Sequence, residues 1–121
     1  MSEEKARKIA AQNDLFRTKF YVPYFNLRPT GHMFCTEGIA ALSPEMQIRI
    51  WMAVAKFTDF PEGDDPYGEH DFGAIDMVGV GEKIFWKIDY YADKSCTSGS
   101  EDPSDPARTF RVLTIMLASE W

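Results

Sequence analysis

Several absences narrow this sequence before any motif does. No apolar run exceeds a few residues, far short of the ~20 that a bilayer-spanning helix needs. The two cysteines, Cys35 and Cys96, lie far apart; that is no disulfide framework, and two reduced thiols are the expectation. The chain opens Met1-Ser2-Glu3-Glu4-Lys5 with no apolar stretch behind it. No secretory leader is therefore expected, and the cytoplasm is the expected location. There is no G-x-S-x-G nucleophile elbow, and no helix is expected after Gly79-Val80-Gly81 that would make it a phosphate loop. Repeats, low-complexity tracts and linker-like segments are missing too, so residues 1–121 are expected to form one domain.

What is present is an ordinary globular composition, 45% apolar and 26% charged, outside the regime of disorder. The net charge is −6, and it is unevenly spread. Residues 1–28 hold six basic against three acidic side chains, whereas residues 59–105 hold thirteen acids against Lys83, Lys87 and Lys94. An acidic half of this kind repels duplex phosphates and attracts cations or basic protein surfaces.

Helical composition runs from Glu3 to about Arg17, with Ala6, Ile9, Ala10 and Phe16 on a thin stripe and Glu4–Lys8 as an i,i+4 pair. A helix with so narrow an apolar face is expected to be peripheral. Together with the aromatic-basic stretch Phe16–Pro29, read as an extended or turn-rich connection, it makes residues 1–28 an arm on the domain. His32–Thr36 is a short candidate strand. Ser43-Pro44-Glu45 is a helix start, cap then proline then acid, for a helix to about Phe57. That helix is apolar nearly all round (Met46, Ile48, Ile50, Trp51, Met52, Val54) and is expected to be buried on several sides. Asp71–Val78 and Glu82–Tyr91 read as a hairpin about Gly79-Val80-Gly81. In its second strand Ile84, Trp86, Ile88 and Tyr90 form the core face, and Phe85, Lys87, Asp89 and Tyr91 a half-exposed one. Asp105-Pro106 again signals a helix, continuing through Phe110 and Leu117. The expected class is α+β, a small antiparallel sheet of about three strands packed by helices in the order α-β-α-β-β-α.

Four segments now stand out together: Phe57-Thr58-Asp59-Phe60, Asp65-Pro66-Tyr67-Gly68-Glu69-His70-Asp71-Phe72-Gly73, Phe85-Trp86-Lys87-Ile88-Asp89-Tyr90-Tyr91 and Arg111-Val112-Leu113-Thr114-Ile115-Met116-Leu117-Ala118. With Asn13-Asp14-Leu15-Phe16-Arg17 and Ser100-Glu101-Asp102-Pro103, they make the chain resemble, from about Asn13 onward, the family of uncharacterised bacterial proteins designated DUF3768. The resemblance implies an accessory protein of bacteria, of a kind often carried on plasmids and other mobile elements, without assigned catalytic residues. The chain departs from the family pattern in the unusually aromatic Lys19–Pro29 stretch and at Asp64, where Asn is common.

Asp64, Asp65, Glu69, His70 and Asp71 crowd four carboxylates and an imidazole into eight residues. Carboxylate and imidazole ligands suit Mn²⁺, Fe²⁺ or Zn²⁺, which makes Asp65, Glu69, His70 and Asp71 a candidate metal set, with Asp89 adding a ligand from the next strand. A solvated turn in which Asp side chains cap local N–H groups has the same composition, and so does a protein-binding loop. His70 paired with Asp89 or Glu69 would be a general base near neutrality; hydrogen-bonded to a backbone carbonyl it would only fix the loop. The aromatics between Phe16 and Arg28, Tyr21 and Tyr24 among them, fit the domain's own core, a protein interface or a single-stranded nucleic-acid platform.

The leading expectation is a non-enzymatic acidic module. Asp64, Asp65, Glu69, Asp71, Glu101, Asp102 and Asp105 would face a basic partner protein, with Tyr21 and Tyr24 as aromatic anchors. Such a surface would imitate nucleic-acid phosphates and inhibit a basic host protein by occlusion. The alternative is a metal-assisted hydrolase or nuclease built on the 64–71 loop, with His70 and Asp89 catalytic. A third reading is a subunit that forms homodimers through the Phe85/Tyr91 face and the first helix. Nothing in the sequence calls for a cofactor or a membrane.

Overall fold

The structure, a computed structural model, describes residues 2–20 and 29–121. Helix α1 covers Glu3–Arg17 and is started by Ser2, whose Oγ accepts the Lys5 N–H at 3.1 Å. A 3₁₀ turn, Thr18–Phe20, continues it, so the first part of the stretch expected to be extended is helical. The remainder, Tyr21 to Arg28 with both proposed tyrosine anchors, lies outside the described residues. Strand β1 follows (Thr30–Cys35), then a one-turn helix α2 (Glu37–Ala40) and helix α3 (Pro44–Ala55). Ser43 caps α3 by accepting Met46 N–H at 3.1 Å, with Pro44 in its first turn, as cap-then-proline chemistry requires.

Strands β2 (Phe72–Ile75) and β3 (Ile84–Tyr91) form the expected antiparallel hairpin, Phe72 opposite Lys87 and Ile75 opposite Ile84. Its connection runs from Asp76 to Lys83, and Gly79 and Gly81 both take positive φ in it. The class is α+β, but the last element differs from expectation. Phe110–Leu117 is a strand, β4, not a helix. The cap-proline signal at Asp105-Pro106 was real: Asp105 accepts the Ala107 N–H at 3.0 Å and opens a 3₁₀ turn that ends at Arg108. Beyond it the apolar residues are continuous because β4 is central. Arg111, Leu113 and Ile115 are buried on one face, Val112 and Met116 on the other. A strand buried on both sides loses its alternation and imitates a buried helix.

β4 lies between β1, which it pairs in parallel, and β3, which it pairs antiparallel. The sheet is therefore mixed and four-stranded, in the order β1-β4-β3-β2. Its inner face carries Ile84, Trp86, Ile88, Leu113 and Ile115, and the helices close over it with Phe16, Ile39, Ile50 and Val54. Two helix expectations are corrected by this packing. α1 is integral to the domain, burying Ala6, Ile9, Ala10, Asn13, Phe16 and Arg17. α3 buries only one stripe, Ile50, Val54 and Ala55, and leaves Ile48 57% exposed. No helix among the described residues is long and apolar enough to cross a membrane.

Candidate functional site

The 58–71 loop is organised by Asp65. Its carboxylate is buried and accepts the N–H of Glu69 at 2.9 Å and that of His70 at 3.2 Å. The side chain thereby closes a turn, satisfying donors that would otherwise be buried without partners. Gly68 (φ 69°) and His70 (φ 57°) both take the left-handed conformation, which a non-glycine residue holds only when its surroundings impose it. Two contacts impose it on His70. Its ring lies parallel to that of Phe60, centroids 3.9 Å apart, and Nδ1 sits 2.9 and 3.1 Å from the two oxygens of Asp14. A carboxylate only accepts, so Nδ1 carries the proton and Nε2 is the free nitrogen of the neutral ring.

Asp14 is held in turn by Arg17, whose Nη2 donates to it at 2.6 Å. Arg17 is buried at the end of α3, donating from Nη1 to the carbonyls of Val54 (2.6 Å) and Phe57 (3.0 Å). The Val54 carbonyl, in the last turn of α3, also accepts the Phe57 N–H at 3.3 Å, and Phe57 lies just beyond the helix. The guanidinium lies over the rings of Trp86 and Phe60, at 4.9 and 5.4 Å from their centroids. Burial pulls the Arg17 pKa down and Asp14 opposes that shift.

On the other side of the loop lies a second buried polar group. Asn13 donates from Nδ2 to the Glu69 carbonyl (3.0 Å) and to the Tyr90 hydroxyl (2.8 Å), and its Oδ1 accepts from Arg111 Nε (2.7 Å). Tyr90 donates its own proton to the Glu69 carboxylate at 3.0 Å. Arg111 reaches Gln12 Oε1 and the Pro103 carbonyl from Nη2, and its guanidinium lies 5.4 Å from the centroid of the Tyr90 ring. Burial raises the Tyr90 pKa, with Asp71 adding to it, and lowers that of Arg111.

Asp71 borders this group, and its carboxyl is pushed up to about 6, first by desolvation and then by Glu69, Asp65 and Asp89. A carboxyl whose pKa is raised on folding weakens the fold as it ionises, so stability falls as pH rises through about 6 and the penalty is absent below the unfolded value. Asp71→Asn is expected to raise Tm by a few degrees at about pH 8, about 1 kcal/mol after allowance for solvent screening. Near pH 4 it should raise it by nothing. Thermal melts at both pH values check this; equal gains at the two would assign the effect to something other than charge.

Two of the expected binding carboxylates are turned inward. Asp65 and Glu69 are each only 7% exposed and serve the interior. Asp105 caps its 3₁₀ turn. Ser104 holds Asp102 below the ordinary carboxylate range, and Lys5 lies 3.7 Å from it. Glu101 pairs with Arg108, and Asp64 is exposed on the loop. The proposed metal set is not brought together: Asp65 faces backbone, Glu69 faces Tyr90 and His70 faces Asp14. Among the described residues no three His, Cys, Asp or Glu side chains form a group that could hold a metal ion. The proposed His70–Asp89 catalytic pair is likewise divided, because Asp89 bonds Lys87 at 3.0 Å. Cys35 and Cys96 are both free.

The second feature is the outer face of the sheet. In register order, β1 contributes Thr30, His32 and Phe34; β4 contributes Phe110, Val112, Thr114 and Met116; β3 contributes Phe85, Lys87, Asp89 and Tyr91; β2 contributes Phe72 and Ala74. The rings gather at its two ends. Phe72, Phe85 and Trp121 meet edge-on or tilted at 5.4–5.7 Å. His32 lies between Phe34 and Phe110 at 5.7 and 5.0 Å. Phe34 is 52% and Trp121 68% exposed. The buried side chains of α1, α2 and α3 join the core on the opposite face.

Fold and surfaces together define a small two-layer α+β domain, with an aromatic sheet face on one side and a held His–Asp pair on the other. The chain belongs to the family described as a protein of unknown function, DUF3768, which it matches over residues 35–120. The Asn13–Arg17 segment, which carries Asp14, Arg17 and Asn13, lies outside the matched residues. No curated protein and no solved structure matches the chain.

Proposed function

We propose that this chain is a non-enzymatic protein-binding module that docks a basic partner through the outer face of its sheet. The observation that carries the reading is the pair of aromatic groups, His32/Phe34/Phe110 and Phe72/Phe85/Trp121, on the face opposite the helices. Large rings dominate the energetics of protein interfaces, and a polar rim excludes water around them. Between the two groups Lys87 and Asp89 form an ion pair, each side chain about two-fifths exposed, which suits a face that is wetted before docking and closed afterwards. The net charge of −6 supports the choice of a basic partner, because long-range attraction raises the rate of encounter. The same charge argues against stacked nucleic-acid bases on these rings, since Lys87 is the one cation among these outer-face side chains.

A comparison of baits tests this. Wild-type chain and a Phe34→Ser/Trp121→Ser variant, both immobilised after matched thermal melts, are exposed to lysate of the source cells. At about 0.1 M salt the wild type should retain a basic protein that is shed at about 1 M and that the variant retains at least tenfold less. An identical catch on the two baits would remove the sheet face from consideration.

A further inference from the structure

A cavity of about 440 Å³ opens where the C-terminal ends of α1 and α3 meet the 58–71 loop, lined by Asp14, Arg17, Lys56, Thr58, Phe60 and His70 among others. Its volume is that of a small-ligand pocket. Its chemistry is unusual for so acidic a chain. Of the cavities of comparable size elsewhere, one carries two carboxylates, Asp76 and Glu82, against Lys83, which pairs with Asp76, and another carries Glu3 with Glu69. Here the one carboxylate, Asp14, already accepts from both Arg17 and His70. The polar groups left over are the Lys56 ammonium, the Thr58 hydroxyl, Nε2 of His70 and the buried Nε of Arg17.

We propose that this cavity binds a small oxyanion, a phosphate or carboxylate group, between His70 Nε2 and Lys56. Three neighbours pre-organise the imidazole for an anion. Asp14 fixes the proton on Nδ1, Phe60 fixes the ring plane, and Asp65 fixes the left-handed backbone beneath it. Neutral His70 presents a lone pair at Nε2, so the anion is bound by the imidazolium, whose second N–H donates to it. Pre-organised donors gain affinity because little freedom is lost when the ligand arrives.

The test follows the His70 ring by NMR during titration with sodium acetate and, separately, inorganic phosphate at constant ionic strength. A His32→Gln variant assigns the resonance, the chain having two histidines. A saturable His70 shift is expected, with acetate as the singly charged probe. Lys56→Met, an exposed substitution, should weaken it about fivefold while leaving the thermal melt unchanged. Saturation by both anions identifies a carboxylate-accepting pocket, and saturation by phosphate alone a phosphate pocket. No saturable shift with either anion, or equal affinity in wild type and Lys56→Met, overturns the proposal.

Discussion

Replacing Asn13 by leucine is expected to remove about 3–5 kcal/mol of stability, a large share of the roughly 5–15 kcal/mol typical of a domain. Leucine keeps the branching pattern and suits the helix, and although it is bulkier, the lost hydrogen bonds are the main term. Asn13 is fully buried and its side-chain amide answers three groups at once: the Glu69 carbonyl, the Tyr90 hydroxyl and Arg111 Nε. Tyr90 keeps its bond to Glu69 in the variant. Arg111 does not keep its own balance: it is wholly buried, already has Nη1 without a partner, and would lose the acceptor at Nε. A buried cation stripped of a charge-assisted bond is among the few single changes that cost this much. Chemical denaturation of the two proteins measures it; a loss below about 1 kcal/mol would mean that Arg111 finds another acceptor or water.

Gly31→Ala should be more damaging still. β1 runs parallel to β4 with Gly31 opposite Arg111, and a Cβ at Gly31 would stand 1.9 Å from the Arg111 carbonyl oxygen and 2.8 Å from the Phe16 ring. The oxygen belongs to the central strand and cannot step aside, so relief requires β1 to move off the sheet. A loss beyond about 4 kcal/mol is expected, read as a collapse of soluble yield or of Tm. Gly63→Ala is the control, because a Cβ there meets nothing within 4 Å. Equal melts for the two variants would show that β1 tolerates displacement.

Local chemistry was legible wherever local chemistry decides the structure. Ser43-Pro44 started a helix, the alternation in Ile84–Tyr90 named the inner face of β3, and even Asp105-Pro106 opened a turn of helix. What misled was position in the sheet. Phe110–Leu117 is apolar throughout because it is covered on both faces, and no window of sequence shows which neighbours will cover it. The site was half legible for a similar reason. His70 was visible as a titratable group in an acidic loop, but its partner comes from α1, 56 residues earlier in the chain. Proximity in sequence favoured Glu69 or the neighbouring Asp89, yet Asp65 turns the loop so that Glu69 and His70 face opposite ways. One signal was available. Asn13 and Arg17 sit four residues apart on the stripe that also holds Ile9 and Phe16, and polar side chains at core positions of a helix are there to satisfy buried groups. The apparent thinness of that stripe was the mark of a polar interior rather than of a peripheral helix.

The place of β4 also governs how such a chain can acquire its structure. It is the last of the described strands in chain order, yet β1 pairs with no other strand of the sheet. Joining Thr30 to Phe110 closes a loop of about 80 residues, and that loss of chain freedom comes before the parallel ladder returns anything for it. Until Phe110–Leu117 emerges, the nascent chain can offer little more than the β2–β3 hairpin and isolated helices, with Trp86 and Ile88 uncovered. Folding accordingly waits for β4, and the interval before it pairs is when this protein is most exposed to chaperones and to aggregation.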